Sequence, residues 1–339
     1  MNCILSGRCY HRPNPTLPPS ALNSPPRATT ANAAPLVAIL LATYQGERYL
    51  PEQLDSFARQ TYGNWRAWAS DDGSTDQTRA ILQRYQAQWV PGQLTILQGP
   101  AQGSSRNFVS LTHNPDIQAD YYAYSDQDDI WEDDKLERAL AWLNTQEADK
   151  PALYCTRTRL VDANNQEIGL SPDFQRPLGF ANALMQNITG GNTMVFNHAA
   201  CRLLCLAGQD TEIVIHDWWA YLVVTACGGA VRFDPKPGLR YRQHDSNLIG
   251  MTASGPSLAS RIAKLFGPTL KRNNDIHLHA LQNLAPHMPP ENRRIMTQFA
   301  AARQQWLIPR IIGFRKAGLY RMTPSGNLGM FLALLLNRL

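Results

Sequence analysis

Three groups of side chains carry residue types and spacings that could do chemistry: Asp71-Asp72, Asp126-Gln127-Asp128-Asp129 and His216-Asp217-Trp218-Trp219. Clustered carboxylates repel and raise one another's pKa unless a cation or hydrogen-bond donors compensate. Hard oxygen donors of this kind suit Mg²⁺ or Mn²⁺, commonly held by one or two carboxylates together with phosphate oxygens. The competing reading is that aspartates simply favour turns and helix caps. It loses weight where two such clusters end two of the strand-like segments of one sheet. Asp217 differs, because apolar residues precede it, two indoles adjoin it and an apolar stretch follows from Ala220 to Ala226. A carboxylate at such a low-dielectric edge can act as general base on a hydroxyl, although the same position could be only a helix N-cap.

These groups need a scaffold, and the segments between them supply one. Leu36 to Ala42 is a continuous apolar run of strand length, as expected for a strand buried on both faces of a parallel sheet. Tyr49 to Gln60 carries Leu50, Leu54 and Phe57 at helical spacing. Trp65 to Ser70 is a second strand ending at Asp71, and Ser74, Thr75 and Asp76 offer caps for a helix with Ile81, Leu82 and Tyr85. Leu94 to Leu97 is a third strand, Phe108 to Leu111 lie on the next helix, and Tyr121 to Ser125 is a fourth strand ending at Asp126. The β-α-β-α-β-α-β order predicts an α/β fold, an open and mostly parallel sheet with helices on both faces. Ligands of such sheets bind beyond the carboxyl ends of the strands, where the acidic clusters fall.

Thr43-Tyr44-Gln45-Gly46, Ser70-Asp71-Asp72-Gly73-Ser74-Thr75-Asp76 and Asp126-Gln127-Asp128-Asp129, in this order and at strand ends, resemble the sequential signatures of a family 2 glycosyltransferase over residues 36 to 250. The resemblance implies a GT-A fold that binds a nucleotide-activated sugar and transfers the sugar with inversion. It matches Asp71 and Asp72 to the pair contacting base and ribose, and Thr43 and Tyr44 to the loop lying against the nucleotide. Asp126 would face the ribose, and Asp128 would ligate a metal bridging the diphosphate. Gln45 stands where the family usually has Asn, an exchange of one neutral amide for another.

Further along, Gly190-Gly191-Asn192 forms a glycine-containing turn before a strand-like Val195-Phe196, either a plain turn or, by the resemblance, the lining of the donor-sugar and acceptor pocket. Asp217 matches the inverting base, with Trp218 and Trp219 shaping an acceptor platform; at least one of the two indoles should be structural. Arg240-Tyr241-Arg242-Gln243-His244 resembles an Arg-Gln-His element of rhamnosyltransferase-like members, placing Arg242 near diphosphate oxygens and His244 at the metal or diphosphate. The implied donor is dTDP-L-rhamnose, with a UDP-sugar as the other option, and the implied acceptor is a saccharide or lipid-linked hydroxyl in cell-surface polysaccharide assembly. Two other readings stay open: a Mg²⁺-dependent phosphohydrolase of the haloacid dehalogenase kind, and a sugar-nucleotide-binding protein without catalysis. The first should end its first strand on a nucleophilic aspartate, where this chain has Ala42-Thr43-Tyr44.

Composition bounds the rest. The 339 residues are 44% hydrophobic and 17% charged, enough for a large core, and a net charge of +5 is too diffuse to imply nucleic-acid binding. The six cysteines contain no Cys-x-x-Cys pair and read as reduced thiols of a cytoplasmic protein, with Cys201 and Cys205 in a core helix. Residues 1–35 are proline-rich and lack acidic residues, which predicts a disordered arm. Residues 251–339 read as a helical extension whose basic and apolar residues suit peripheral contact with an anionic membrane surface. The first apolar run is too short for a signal-peptide core, and the apolar stretch near the end is too short to span a bilayer.

Overall fold

The computed structural model describes residues 34–188, 190–243 and 269–339. The expectations for the arm before residue 34 and for His244 lie outside these residues.

Val37–Thr43 (β1) is buried along its whole length. It lies between Trp65–Asp71 (β2) and Tyr121–Ser125 (β4), both parallel to it, and Leu94–Gln98 (β3) follows β2 at the edge. Register is what builds the site. Thr43 pairs with Asp71, and Leu41 pairs with Ser125. The residues that follow β1, β2 and β4 therefore emerge side by side along one edge of the sheet.

Helices Leu50–Ala58 (α1), Thr78–Gln88 (α2) and Ser104–Thr112 (α3) connect these strands, and Lys135–Leu143 (α4) follows β4. Successive side chains of a strand point to opposite faces, and β1 shows the consequence. Val37, Ile39 and Leu41 join Leu54, Leu82 and Leu140 from α1, α2 and α4 in one apolar cluster. Ala38 and Leu40 join Phe108 of α3 in the other.

Beyond β4 an antiparallel strand enters the sheet. Val195–Asn197 (β9) lies between β4 and Ala152–Thr156 (β6), and Ala230–Asp234 (β10) runs parallel to β6 at the far edge. Because Val195 of β9 pairs with Ala123 of β4 in the opposite sense, the turn entering β9 reaches the ligand edge. That turn holds Gly190, Gly191 and Asn192. A smaller sheet of Ile130–Trp131 (β5), Leu239–Arg242 (β11), Arg159–Val161 (β7) and Glu167–Leu170 (β8) brings Arg242 close behind the Asp126–Asp129 turn.

The remaining helices are Phe180–Ala183 (α5), His198–Leu206 (α6), His216–Ala226 (α7), Thr269–Leu281 (α8), Pro290–Arg303 (α9), Leu307–Lys316 (α10) and Pro324–Leu335 (α11). Leu281, Phe299, Phe314 and Leu334 share the apolar cluster of Leu40, Phe196 and Leu222, so α8 to α11 extend the core of the sheet. The unit runs from Ala34 to Leu339. This covering explains why α7 is buried on nearly all sides. Its last carbonyls, which have no partner within a helix, accept from Asn292 of α9 at 2.9 Å (Thr225) and 3.0 Å (Ala226). Two of the tail's basic residues are structural: Arg303 bonds the Leu339 carbonyl and Asp275, and Arg310 bonds Gln305 and Leu334 carbonyls. Among the described residues no helix is long and apolar enough to cross a membrane.

Candidate active site

The first loops are held by their own polar side chains. Thr43 Oγ1 donates to Asp71 Oδ1 at 3.1 Å, Ser74 Oγ donates to the same oxygen at 2.5 Å, and Arg79 lies 3.7 Å from the other. Asp72 accepts the backbone N–H groups of Ala101 at 2.7 Å and Gly103 at 2.8 Å, which ties the end of β2 to the loop before α3. Thr43, Asp71 and Asp72 thus stand at the expected edge with their side chains engaged in shaping it. Tyr44 above them is 57% exposed. Its backbone is gripped from both sides by Gln127, which accepts from Tyr44 N at 2.8 Å and donates to Tyr44 O at 2.7 Å. Gly46 allows this, since a Cβ there would lie 2.3 Å from Gln127 Oε1. Gln45 sits at φ 51° and bonds the backbone of Thr75 and Asp76, locking the first loop to the second.

The acidic centre lies beside these loops. Desolvation in the cleft, then the charges of Asp128 and Asp217, push Asp126 up to about 8 against a partial offset from Lys135. Asp129 is raised well above the usual carboxylate range by burial and by Asp128 and Asp126. Tyr241 of β11 is raised by burial and then by Asp129, Asp126, Asp128 and Asp217. One phenol therefore feels carboxylates from two separate chain segments. Asp128 and Asp217 both raise Asp126 as well.

Asp217 occupies the first turn of α7 and is 5% exposed. Burial pushes it up to about 6, despite hydrogen bonds from Trp218 N–H, the Asn187 side chain and the Gly191 backbone that favour the anion. It is not an N-cap, because Ile215 holds that position, and its Oδ1 accepts from the adjacent Trp218 N at 2.6 Å. His216 stacks on Phe108 at 4.0 Å and is pushed down to about 3 by burial, so it stays neutral. Gly191 packs against this pair, and a Cβ there would meet His216 Nε2 at 2.4 Å.

Several expectations about the pocket change. Arg242, expected at the diphosphate, is 1% exposed and turned inward: its guanidinium bonds the Asp128 carbonyl (3.1 Å), the Ala163 carbonyl (3.0 Å) and Glu52 (2.9 Å) and lies 4.4 Å over the Tyr49 ring. The small sheet places β11 behind the Asp128 turn, so the guanidinium braces that turn. Asn192, expected to line the sugar pocket, is 2% exposed; its amide donates to Asp129 and its carbonyl accepts from Lys135 Nζ at 2.5 Å. Lys135 is itself buried, 3.6 Å over the Trp131 ring, and couples the acidic turn to the glycine turn. Trp219 is a core residue, whereas half-buried Trp218 donates to the Ala183 carbonyl and meets His277 edge-on at 4.5 Å. Gly190 is exposed beside the cleft.

Gln127, Lys135 and Asn187 bond these segments and Tyr241 feels their charges, although none of the four was among the expected site residues. Among the described residues no group of three or more His, Cys, Asp or Glu is arranged to hold a metal ion. The donor chemistry still fits a hard divalent cation, because a cation held by the Asp128 carboxylate would offset the like charge that raises Asp126.

The model of glycosyl transferase family 2 matches residues 38–204, from β1 to α6. The chain is 30% identical over 226 residues to dTDP-rhamnosyl transferase RfbG of Shigella flexneri, covering 63% of this chain and 75% of that protein. It is also 33% identical over 113 residues to the putative glycosyltransferase EpsE of Bacillus subtilis, covering 33% of this chain and 40% of the relative. Among solved structures, residues 1–349 of S. aureus TarS in complex with UDP-GlcNAc superpose with a TM-score of 0.51 at 15% identity, over 90% of this chain and 89% of that one. GalNAc-T7 with UDP, GalNAc and Mn²⁺ gives 0.52 at 12% identity, over 85% and 56%. These likenesses show the GT-A fold. With three quarters of a rhamnosyl transferase paralleled by this sequence, and the family model spanning the β1–α6 half of the fold, the chain belongs to glycosyl transferase family 2.

Proposed function

We propose that the protein transfers L-rhamnose from dTDP-L-rhamnose to a hydroxyl of a saccharide or lipid-linked acceptor, with inversion at the anomeric carbon. What supports the reading is that Asp126, at the carboxyl end of β4, feels the charges of both Asp128 and Asp217, carboxylates of two separate chain segments. The donor sugar rests on the name of the RfbG relative, and the nucleotide class on both that name and the UDP complexes of the structural neighbours.

In this reading the nucleotide lies over Thr43 and Tyr44, on the floor shaped by Asp71 and Asp72, with Asp126 toward the ribose. Asp128, with His244 as a second candidate ligand, would hold Mg²⁺ or Mn²⁺, the latter present in the GalNAc-T7 complex. Such a cation neutralises the charge that develops on a diphosphate leaving group. Asp217 takes the proton of the acceptor hydroxyl. The hydroxyl oxygen forms a bond to the anomeric carbon from the face opposite the leaving group, and the bond to the diphosphate breaks with its electron pair. A base raised to about 6 is ionised at neutral pH yet more basic than an ordinary carboxylate, which suits this transfer. Gln127 keeps the Tyr44 loop in place, and Lys135 with Asn192 holds the acidic turn against the glycine turn. An acceptor used in cell-surface polysaccharide assembly would place the enzyme at an anionic membrane surface.

The test is a screen of dTDP-L-rhamnose, UDP-GlcNAc and GDP-mannose for donor turnover and for protection against melting, with and without Mn²⁺. The reading requires turnover of dTDP-L-rhamnose. Turnover of a UDP-sugar alone would correct the donor and leave the reaction class standing.

A further inference from the structure

We propose that α10 and α11 form a docking face for a bilayer with anionic headgroups. The proposal goes beyond the sugar-transfer reading and does not depend on it. Most of the exposed large apolar side chains among the described residues lie between Trp306 and Leu336. On α11, Met330, Ala333 and Leu334 are buried in the core. Leu328, Phe331, Leu332 and Leu335 form a second stripe at i, i+3, i+4 and i+7, each at least 38% exposed. A helix packed on a core normally turns a polar face to water, yet α11 contains no charged residue.

The neighbouring helix repeats the pattern. Ile308 and Ile312 are exposed one turn apart, and Trp306 at the N-cap is 65% exposed. Arg315 and Lys316 close the same helix with exposed charge. The buried Arg310 fixes the two helices together through its bond to the Leu334 carbonyl at 3.2 Å.

Charge decides the occupant. No acidic residue lies in α10, in α11 or between them, whereas Arg315 and Lys316 at the end of α10 and Arg338 just after α11 are exposed. A second copy of this face would bring the same positive charge against itself. An anionic surface attracts it, with apolar side chains and an indole entering the headgroup and upper acyl region and basic groups meeting phosphates. The 12 residues of α11 rise about 18 Å, short of the roughly 30 Å hydrocarbon core, so the helix lies on the membrane and does not span it.

The test is flotation of the full chain with vesicles of phosphatidylcholine alone or mixed with phosphatidylglycerol, at low and high salt. Three proteins are compared: wild type, Phe331→Glu, and the pair Arg315→Gln with Lys316→Gln. Circular dichroism melting and light scattering check the fold and the oligomeric state of each. The wild type should float with the anionic vesicles only and be released by salt. The double Gln variant should bind about thirtyfold more weakly, two basic groups at about 1 kcal/mol each, and Phe331→Glu should stay in solution with an unchanged melting curve. Absence of flotation with anionic vesicles overturns the proposal, as does equal, salt-insensitive binding to both vesicles. A wild-type dimer that Phe331→Glu splits into monomers also overturns it, and assigns the face to a second copy.

Discussion

Replacing Asp217 by Asn tests the buried base through stability as well as through activity. Burial raises this carboxyl from 3.8 to about 6, so its ionised form costs the folded state about 3 kcal/mol once both folded and unfolded chains are deprotonated. The sign follows from the direction of the shift. Below the unfolded value the group is protonated in both states and costs nothing. The cost grows as pH rises and is complete above about 6. Asn has no such pH dependence, although its amide nitrogen faces donors that the carboxylate accepted, a roughly constant loss of about 1–3 kcal/mol. The constant part cancels when two pH values are compared. Between about pH 4 and about pH 8 the variant should gain about 2 kcal/mol relative to wild type. Relief of the Asp126–Asp217 repulsion adds to the gain with the same sign. The assay is urea denaturation of both proteins in EDTA across this range. Parallel stability curves would mean that Asp217 titrates like an exposed carboxylate, and the desolvated-base argument would fall.

Other perturbations have separate readouts. Gly191→Ala puts a Cβ 2.4 Å from His216 Nε2 and should cost about 1–3 kcal/mol with a loss of turnover, read by denaturation and donor consumption. Arg242→Met removes the donors to the Asp128 and Ala163 carbonyls and should destabilise by about 2 kcal/mol in a melting experiment; unchanged stability with weakened dTDP binding would return Arg242 to the diphosphate. Gln127→Ala frees the Tyr44 loop from both of its hydrogen bonds and should raise the donor KM about tenfold, with kcat changed less. Removal of divalent cations by EDTA should stop transfer, and Mn²⁺ should restore it; full activity in EDTA would exclude the role given to Asp128.

The half of the fold up to β4 was legible because each element carried its own signal. Val37 to Ala42 is uniformly apolar, α1 carries Leu50, Leu54 and Phe57 on one face, and the aspartates mark where β2 and β4 stop. His198–Leu206 also formed the expected helix, with Cys201 and Cys205 packed near the Thr112 carbonyl. β9 and the small sheet carried no such signal. Val195–Asn197 is three residues long and β5 is two, too short for alternation to show direction or partner.

The same limit applies to the site. Asp128 and Asp217 were readable as residue types at element ends, but the functions of Asn192 and Arg242 depend on which way each side chain turns. That is set by partners far away in sequence, Asp129 and Lys135 for Asn192, Glu52 and Ala163 for Arg242. Gln127 was invisible for a different reason: it fills the unspecified position between two aspartates, and only the close approach of Gly46 gives it a purpose. Asp217 lies beyond the residues matched by the family model. Its assignment rests on burial, the α7 N-terminus and its proximity to Asp126.

The most direct measurement is the turnover of dTDP-L-rhamnose by Asp217→Asn beside calorimetric binding of dTDP with Mn²⁺. A base that acts only on the acceptor hydroxyl predicts binding close to wild type and transfer reduced by about a thousandfold. Full transfer by the variant would contradict the account.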